Sequence, residues 1–419
     1  MAELSTLVQW NLNDGLVTFG DYPCLLLDYR THLYIEQAIS DLLGEKQSSS
    51  LRMSVARDAV RELVSQTAPG MGVEGGAAMF PYTVGLYRMF GCGRLRLETV
   101  EGRRRGVGDR LFSSMSRLQH PELMATVSPS LEAMTSGWLA AAIELALSRP
   151  ANSVEVRQGG GPSNPEGYVW FDLGKGDGAD PRHVVRGSIG QRGSWSGPAV
   201  SAWVAKAASD LLGMEAEQEG VRHGLGVPMC LMLAGYHQEA VLTARAAAFS
   251  ASTELGALLD AALVEAWRLG FSGWLHERWQ RMGEHGEAHA GQPADVMLLC
   301  SDLMALLGLG RVRFTEIGDG GIRAESPGTL DALWTLQRVG VQRTAVCLSL
   351  LGIVQAVADF VAMLRRGGAA EQGSWTREQL TPSPFTPEVI TCVSVGSSIT
   401  EVVAKRAARI GGYVPVEAS

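Results

Sequence analysis

The sequence has little that announces chemistry, and each shortage excludes a class of function. Its six cysteines (24, 92, 230, 300, 347 and 392) include no CxxC pair. They read as buried thiols in a reducing compartment, not as a disulfide framework. Glycine-rich stretches at 72–76, 159–161 and 174–178 lack the GxxxxGK[ST] order. They read as loops rather than phosphate cradles. No Gly-x-Ser-x-Gly nucleophile turn occurs. Lysine and arginine (36) are outnumbered by aspartate and glutamate (44), for a net charge of −8. That balance argues against a generic polyanion-binding surface. The single dense basic run, Arg103–Arg105, sits between Gly102 and Gly106 and is expected at a solvated hairpin tip. The longest membrane-like run, 345–364, is interrupted by Ser349, Gln355 and Asp359. The last two share one helical face, so a buried amphipathic helix is expected in place of a span. The opening Met-Ala-Glu-Leu-Ser lacks a basic region followed by an apolar core. The expected location is the cytoplasm, with no nucleic-acid partner and no membrane span.

What the chain does contain is an echo of itself. Phe90-Gly-Cys-Gly-Arg-Leu-Arg-Leu-Glu98 returns in kind as Leu307-Gly-Leu-Gly-Arg-Val-Arg-Phe-Thr315, 217 residues later. Upstream, Pro23-Cys-Leu-Leu-Leu27 is echoed by Met229-Cys-Leu-Met-Leu233 at an offset of 206. Self-similarity at so long a period implies duplicated domains rather than a solenoid. Duplicated domains usually retain the self-complementary interface of the ancestral dimer. With 419 residues, 46% of them hydrophobic, the chain can bury a core in each copy.

Periodicity and breakers place the elements. Strands are expected at 15–19 and 24–27, and helices at 29–43 (stopped by Gly44), 53–64 and 83–90. A strand follows at 94–98. Ser128-Pro129 opens the nearly all-apolar helix 131–147, and a hairpin at 154–157 and 168–173 closes the copy. The second copy repeats this with 229–233, a helical region 255–279, a helix 293–307, a strand 311–317, a helix 344–364 and a strand 389–395. The expected fold is α+β: two tandem copies of a mixed helix/antiparallel-sheet domain forming an internal pseudo-dimer. The boundaries fall at residues 1–175, a Gly-rich linker and bridging helix at 176–221, and residues 222–419.

A β-hairpin, paired helices, then Gly-x-Gly-Arg-[Leu/Val]-x-[Leu/Phe] entering a hairpin, a long apolar helix and a closing hairpin resemble the 4-vinyl reductase domain family. That family shares its fold with the N-terminal sensor domains of phenol- and xylene-responsive activators and with palmitate-pocket subunits of the TRAPP tethering complex. The resemblance covers residues 15–173 and 222–396. It implies dimerising domains with a small hydrophobic pocket in each, and in many sensor members a Cys-rich zinc site near the closing hairpin. Here the sequence departs: 154–173 holds no cysteine or histidine, and 389–395 only Cys392.

The resemblance points to a pocket lined by Tyr87, Phe90, Trp138 on the central helix and Trp170 on the closing strand. Spacing alone reads the same tryptophans as core packing. Glu284, His285 and His289 form the one dense cluster of metal-capable side chains, in the order HxExH rather than HExxH and beside Gly283 and Gly286. A solvated helix end is expected there ahead of a metal site. Cys24 with His32 and Cys230 with His237 recur in both copies, but each cysteine lies in a Leu-rich strand where thiols are usually inert. No cofactor is implied. The first functional reading is a non-catalytic module that binds a small hydrophobic ligand or acts as a scaffold through protein partners. The other reading is an enzyme or enzyme subunit acting on a hydrophobic conjugated substrate, with a partner supplying the reductant.

Overall fold

Two apolar strands from opposite halves of the chain pair at the centre of the molecule. The computed structural model describes residues 7–100, 103–109, 111–112, 132–158, 169–176, 195–213, 222–224, 227–284, 293–342, 345–365 and 383–406. Strand β3 (Tyr22–Asp28) is buried at every position, as expected of a short continuous apolar run. It follows β1 (Val8–Asn11) and β2 (Leu16–Phe19). In the second half, β8 (Arg222–Gly224) and β9 (Val227–Leu233) complete an antiparallel sheet of order β1-β2-β3-β9-β8. Leu26 pairs with Leu231 in the β3–β9 ladder.

Each central strand runs directly into a helix. Asp28 caps α1 (Tyr29–Leu43), its carboxylate accepting the Arg30 and Thr31 N–H groups at 2.9 and 3.2 Å. Gly44, at φ 80°, ends it. Then come α2 (Glu45–Thr67), α3 (Met79–Met89), the hairpin β4 (Arg94–Val100) and β5 (Arg103–Asp109), the central helix α4 (Ala133–Ala146), and β6 (Val154–Gln158) with β7 (Val169–Lys175). After the bridging helix α5 (Ala202–Gly213), the second half repeats the order. It has α6 (Ala234–Ala251), α7 (Thr253–Glu284), α8 (Pro293–Leu307), β10 (Arg313–Ile317) and β11 (Gly321–Ser326). Helix α9 (Leu330–Val339), whose counterpart positions in the first half lie outside the described residues, precedes α10 (Leu348–Arg365), β12 (Phe385–Thr391) and β13 (Thr400–Arg406). The two outer sheets share one strand order, β4-β5-β7-β6 and β10-β11-β13-β12. The fold is α+β.

The repetition extends to backbone detail. Gly91 and Gly93 take φ of 81° and 121°, and Gly308 and Gly310 take 79° and 114°. The Cys92 N–H bonds to Tyr87 O and the Leu309 N–H to Met304 O, so both helices end in the same turn. Each turn docks on the other half: the Leu231 N–H donates to Phe90 O at 2.8 Å, while a Cβ on Gly308 would lie 2.8 Å from Cys24 O. The strand–helix units start at Tyr22 and Val227 and at Tyr29 and Ala234, an offset of 205. The offset of 206 expected from Cys24 and Cys230 is therefore one residue too long; Pro23 matches Pro228, because the helix junctions fix the frame.

The central helices cross at glycines. A Cβ on Gly137 would lie 2.3 Å from Met53 O and 2.8 Å from the Ala56 Cβ. One on Gly352 would lie 2.3 Å from Val264 O and 2.6 Å from the Trp267 Cβ. Beside each crossing a buried arginine meets a carboxylate on the central helix, Arg57 with Glu144 at 3.9 Å and Arg268 with Asp359 at 2.9 Å. The carboxylates also hold the start of the closing hairpin. Glu144 accepts the Val154 N–H at 3.1 Å, and Asp359 accepts the Ser383 hydroxyl at 2.7 Å. Gln355, on the same face, donates to Phe385 O at 2.7 Å. By length and composition α10 is the one described helix that could cross a membrane, yet 61% of it is buried within the fold.

Several expectations are corrected. Arg103–Arg105 lies in β5, with Val100 paired to Arg103, so the glycine before it does not place the run at the hairpin tip. Helix α2 begins at Glu45 rather than 53, because the polar Gln47–Ser50 run stays helical. Pro387 lies inside β12, which is tolerated because β12 is an edge strand. The strand expected at 389–395 ends at Thr391 and is followed by a short turn at Val393–Val395. The Ser128-Pro129 helix start, the loop at 159–161 and most of the linker lie outside the described residues.

Gly137→Ala and Gly352→Ala are expected to lower stability by about 1–3 kcal/mol or more each, since backbone must move to admit the methyl group. Gly85→Ala, with open space around the glycine, is the control. Denaturant unfolding of the three variants tests this.

Candidate functional site

The turn after α3 and the face of α4 bring three of the four sequence-derived pocket residues together. Tyr87, Phe90 and Trp138 are all buried. The Trp138 ring meets Tyr87 edge-on at 5.1 Å between centroids and Phe90 at 5.9 Å, and Phe19 adds a further edge contact to Phe90 at 5.3 Å. The Trp138 indole N–H donates to Thr83 O at 2.9 Å. Trp170 is not among them. On β7 the residues on either side, Val169 and Phe171, are buried, while Trp170 is 42% exposed. Phe171 pairs with Gly106, whose Cβ would strike Leu139 on α4, so Trp170 faces the opposite side of the sheet. Strand parity excludes it from a pocket over α4.

A chain of polar groups leads away from the rings. The Tyr87 and Thr135 hydroxyls are 2.8 Å apart, and Thr135 donates to Glu132 Oε2 at 2.9 Å. Glu132 is buried within electrostatic reach of Arg52, which is buried too. Arg52 Nη1 lies 2.6 Å from Glu36 Oε2, and Glu36 Oε1 accepts the Tyr236 hydroxyl at 3.2 Å, with His32 Nε2 at 3.6 Å. Tyr236 belongs to the second half, as does Cys230, whose thiol contacts Cys92. The network thus joins α1, α2, α3 and α4 to α6 beneath the central sheet.

Burial raises the Tyr87 and Tyr236 hydroxyls well above the usual tyrosine range, so both stay protonated and can donate. Burial alone would raise Glu36 as well; Arg52 and His32, with hydrogen bonds from Arg52 and Tyr236, outweigh it and hold the carboxyl below its ordinary value. The Cys24 and Cys230 thiols are pushed up by burial, Cys230 also by Cys92, so neither supplies a thiolate. His237 is held neutral, lowered to about 3 by burial and by His32. The centre offers neutral hydroxyl donors, a compensated ion pair and aromatic walls.

The second half keeps the backbone and changes the chemistry. At the turn offset of 217, Tyr87 and Phe90 correspond to Met304 and Leu307. At the Gly137–Gly352 offset of 215, Glu132, Thr135 and Trp138 correspond to Cys347, Leu350 and Ile353. All five replacements are buried.

His285 and His289 lie outside the described residues, and Glu284 is the last residue of α7. Among the described residues no group of three or more His, Cys, Asp or Glu could hold a metal. Sequence reasoning passed over Glu36, Arg52, Glu132, Thr135 and Tyr236. Their available signal was charge in an apolar setting: Glu36 follows His32 by one helical turn, and Glu132 sits against an almost wholly apolar helix. No protein family, no curated protein and no solved structure matches this chain.

His237 yields a signed pH prediction. Its folded value lies below the unfolded one, so the unfolded chain binds the extra proton and stability falls as pH drops from the ordinary histidine value toward about 3. The stability advantage of wild type over His237→Gln should shrink by about 1.4 kcal/mol per pH unit across that window. Paired urea titrations between these limits measure it, and a constant difference would exclude a buried neutral imidazole.

Proposed function

We propose that the chain is an internal pseudo-dimer of two 4-vinyl reductase-like units and works as a non-catalytic binding module. In this reading its first half takes a small hydrophobic ligand, and the module acts through protein partners. One observation carries the proposal. The first half keeps a buried Tyr87–Thr135–Glu132 chain beside Trp138 and Phe90, where the second half, on the same turn and helix crossing, has Met304, Leu350, Cys347, Ile353 and Leu307. An aliphatic core is the cheaper solution at that position, since buried polar groups cost free energy unless fully paired. Retaining hydroxyls and a carboxylate there favours a recognition role over packing.

The chemistry defines the ligand class. A flat or conjugated apolar body would lie against Trp138 and Phe90, with one polar group on the Tyr87–Thr135–Glu132 chain. Tyr87, Phe90 and Trp138 are packed against one another with at most 3% exposure, so entry of such a ligand requires this part of the core to open.

Native beside denaturing mass spectrometry of protein from its own host is the direct test. A mass excess lost on denaturation is expected. Tyr87→Phe should then weaken binding by about tenfold, the worth of one hydrogen bond. Ile353→Val in the second half should leave binding unchanged. A bare mass, together with no response of tryptophan emission to a panel of apolar aromatic compounds, would remove the ligand reading. Turnover by the purified protein alone would remove the non-catalytic one.

A further inference from the structure

Two of the six cysteines form a site unlike the rest. Cys347, immediately before α10, and Cys392, immediately after β12, lie side by side: Cys392 Sγ is 3.8 Å from the carbonyl oxygen of Val346, the residue before Cys347, and the two thiols are within electrostatic reach of each other. Both are fully buried. Cys392 Sγ also lies 3.2 Å from the Ser394 hydroxyl oxygen and 3.7 Å from that of Thr400. Each of those oxygens already accepts a backbone N–H, Ser394 from Val346 at 2.8 Å and Thr400 from Val393 at 3.1 Å. Their own protons are therefore free to turn toward the sulfur. Two hydroxyls can thus donate to one sulfur, which favours a thiolate, while in its thiol form Cys392 donates to Val346 O at 3.8 Å.

We propose that Cys392 and Cys347 form a hydroperoxide-reactive dithiol site, with Cys392 as the attacking sulfur and Cys347 as the resolving one. The Cys392 thiolate attacks the terminal oxygen of a hydroperoxide. The O–O bond breaks, a sulfenic acid forms, and the departing alkoxide (hydroxide from hydrogen peroxide) takes a proton from solvent. The Cys347 sulfur then displaces the sulfenic oxygen. The S–S bond forms, the S–O bond breaks, and the oxygen leaves as water with the Cys347 proton. In net terms two thiols lose two electrons, and the hydroperoxide becomes an alcohol and water.

The remaining thiols supply an internal comparison. Hydrogen bonds from Cys347, and then from Ser394 and Thr400, outweigh burial and bring Cys392 down to about 6. Burial raises Cys24 and Cys300, and burial together with the neighbouring Cys92 raises Cys230. Cys392 has two hydroxyls beside it as well as a second thiol. The site lies close beneath the surface. Val341, 67% exposed, packs on Gly396, and the Gln342 N–H bonds to Ser394 O at 2.8 Å. Neither thiol has exposed surface, so reaction with a peroxide requires the fold to open locally at this point.

The full-length reduced protein is exposed to hydrogen peroxide, then denatured, labelled with N-ethylmaleimide and mapped by peptide mass spectrometry. The expected result is loss of label at Cys347 and Cys392 together, about tenfold or more ahead of Cys24 and Cys300, with a Cys347–Cys392 cross-linked peptide that dithiothreitol reverses. In Cys347→Ser, dimedone should mark Cys392. Loss of label at Cys392 no faster than at Cys24 or Cys300, or cross-links distributed among all six cysteines, overturns the proposal. The wild-type map alone decides if the variant does not fold.

Discussion

The antiparallel pairing of β3 with β9 is the constraint on which the rest of the molecule depends. It joins strands about two hundred residues apart, and it is centred on two leucines that occupy the same place in their own halves. Because each strand runs straight into a helix, fixing the pair fixes where α1 and α6 begin. The helices then reach across: α1 packs on α7 and α2 on α6, with Gly270 admitting Thr31 where a larger residue would strike it. Each Gly-x-Gly turn rests against the opposite half as well. Neither half completes its own core.

Within that frame the halves spend their interiors differently. At the crossings both keep a glycine and a buried arginine–carboxylate pair, because close helix approach and an anchored hairpin are demands of geometry. Breaking such a pair leaves an uncompensated buried charge at a cost of about 3–5 kcal/mol, so the two partners persist together. Where geometry makes no demand, the first half carries tyrosine, tryptophan, threonine and glutamate, and the second carries aliphatic side chains and a thiol. The second half has placed its unusual chemistry elsewhere, around Cys392.

Much of the fold was legible because it rests on local signals. Gly44 stops α1 at the expected residue, Pro293 opens α8, and the glycines of the repeated turn take the left-handed conformations that only glycine adopts cheaply. The polar network was not legible, since Glu36, Arg52 and Tyr236 are separated by up to 200 residues and meet only through the central sheet. Trp170 shows a different failure. Its type suggested a pocket wall, but its parity on β7 was set by Phe171, which the sequence alone did not rank above it.

Arg311 carries a consequence for how the chain is made. The arginine of the second turn is 2% exposed, donates to Leu12 O at 2.9 Å and to Pro198 O, and stacks on Trp195 at 4.9 Å. Its counterpart Arg94 is a third exposed and only borders Asp109. The first strands are therefore clamped by a residue translated some three hundred positions later. A nascent chain carrying only the first half presents β3 as an open, largely apolar edge, a surface prone to pair with another chain. Such long-range closure makes folding slow. Until β9 leaves the ribosome that edge has no partner strand from its own second half, and the clamp on Leu12 and Pro198 forms only once Arg311 has been made.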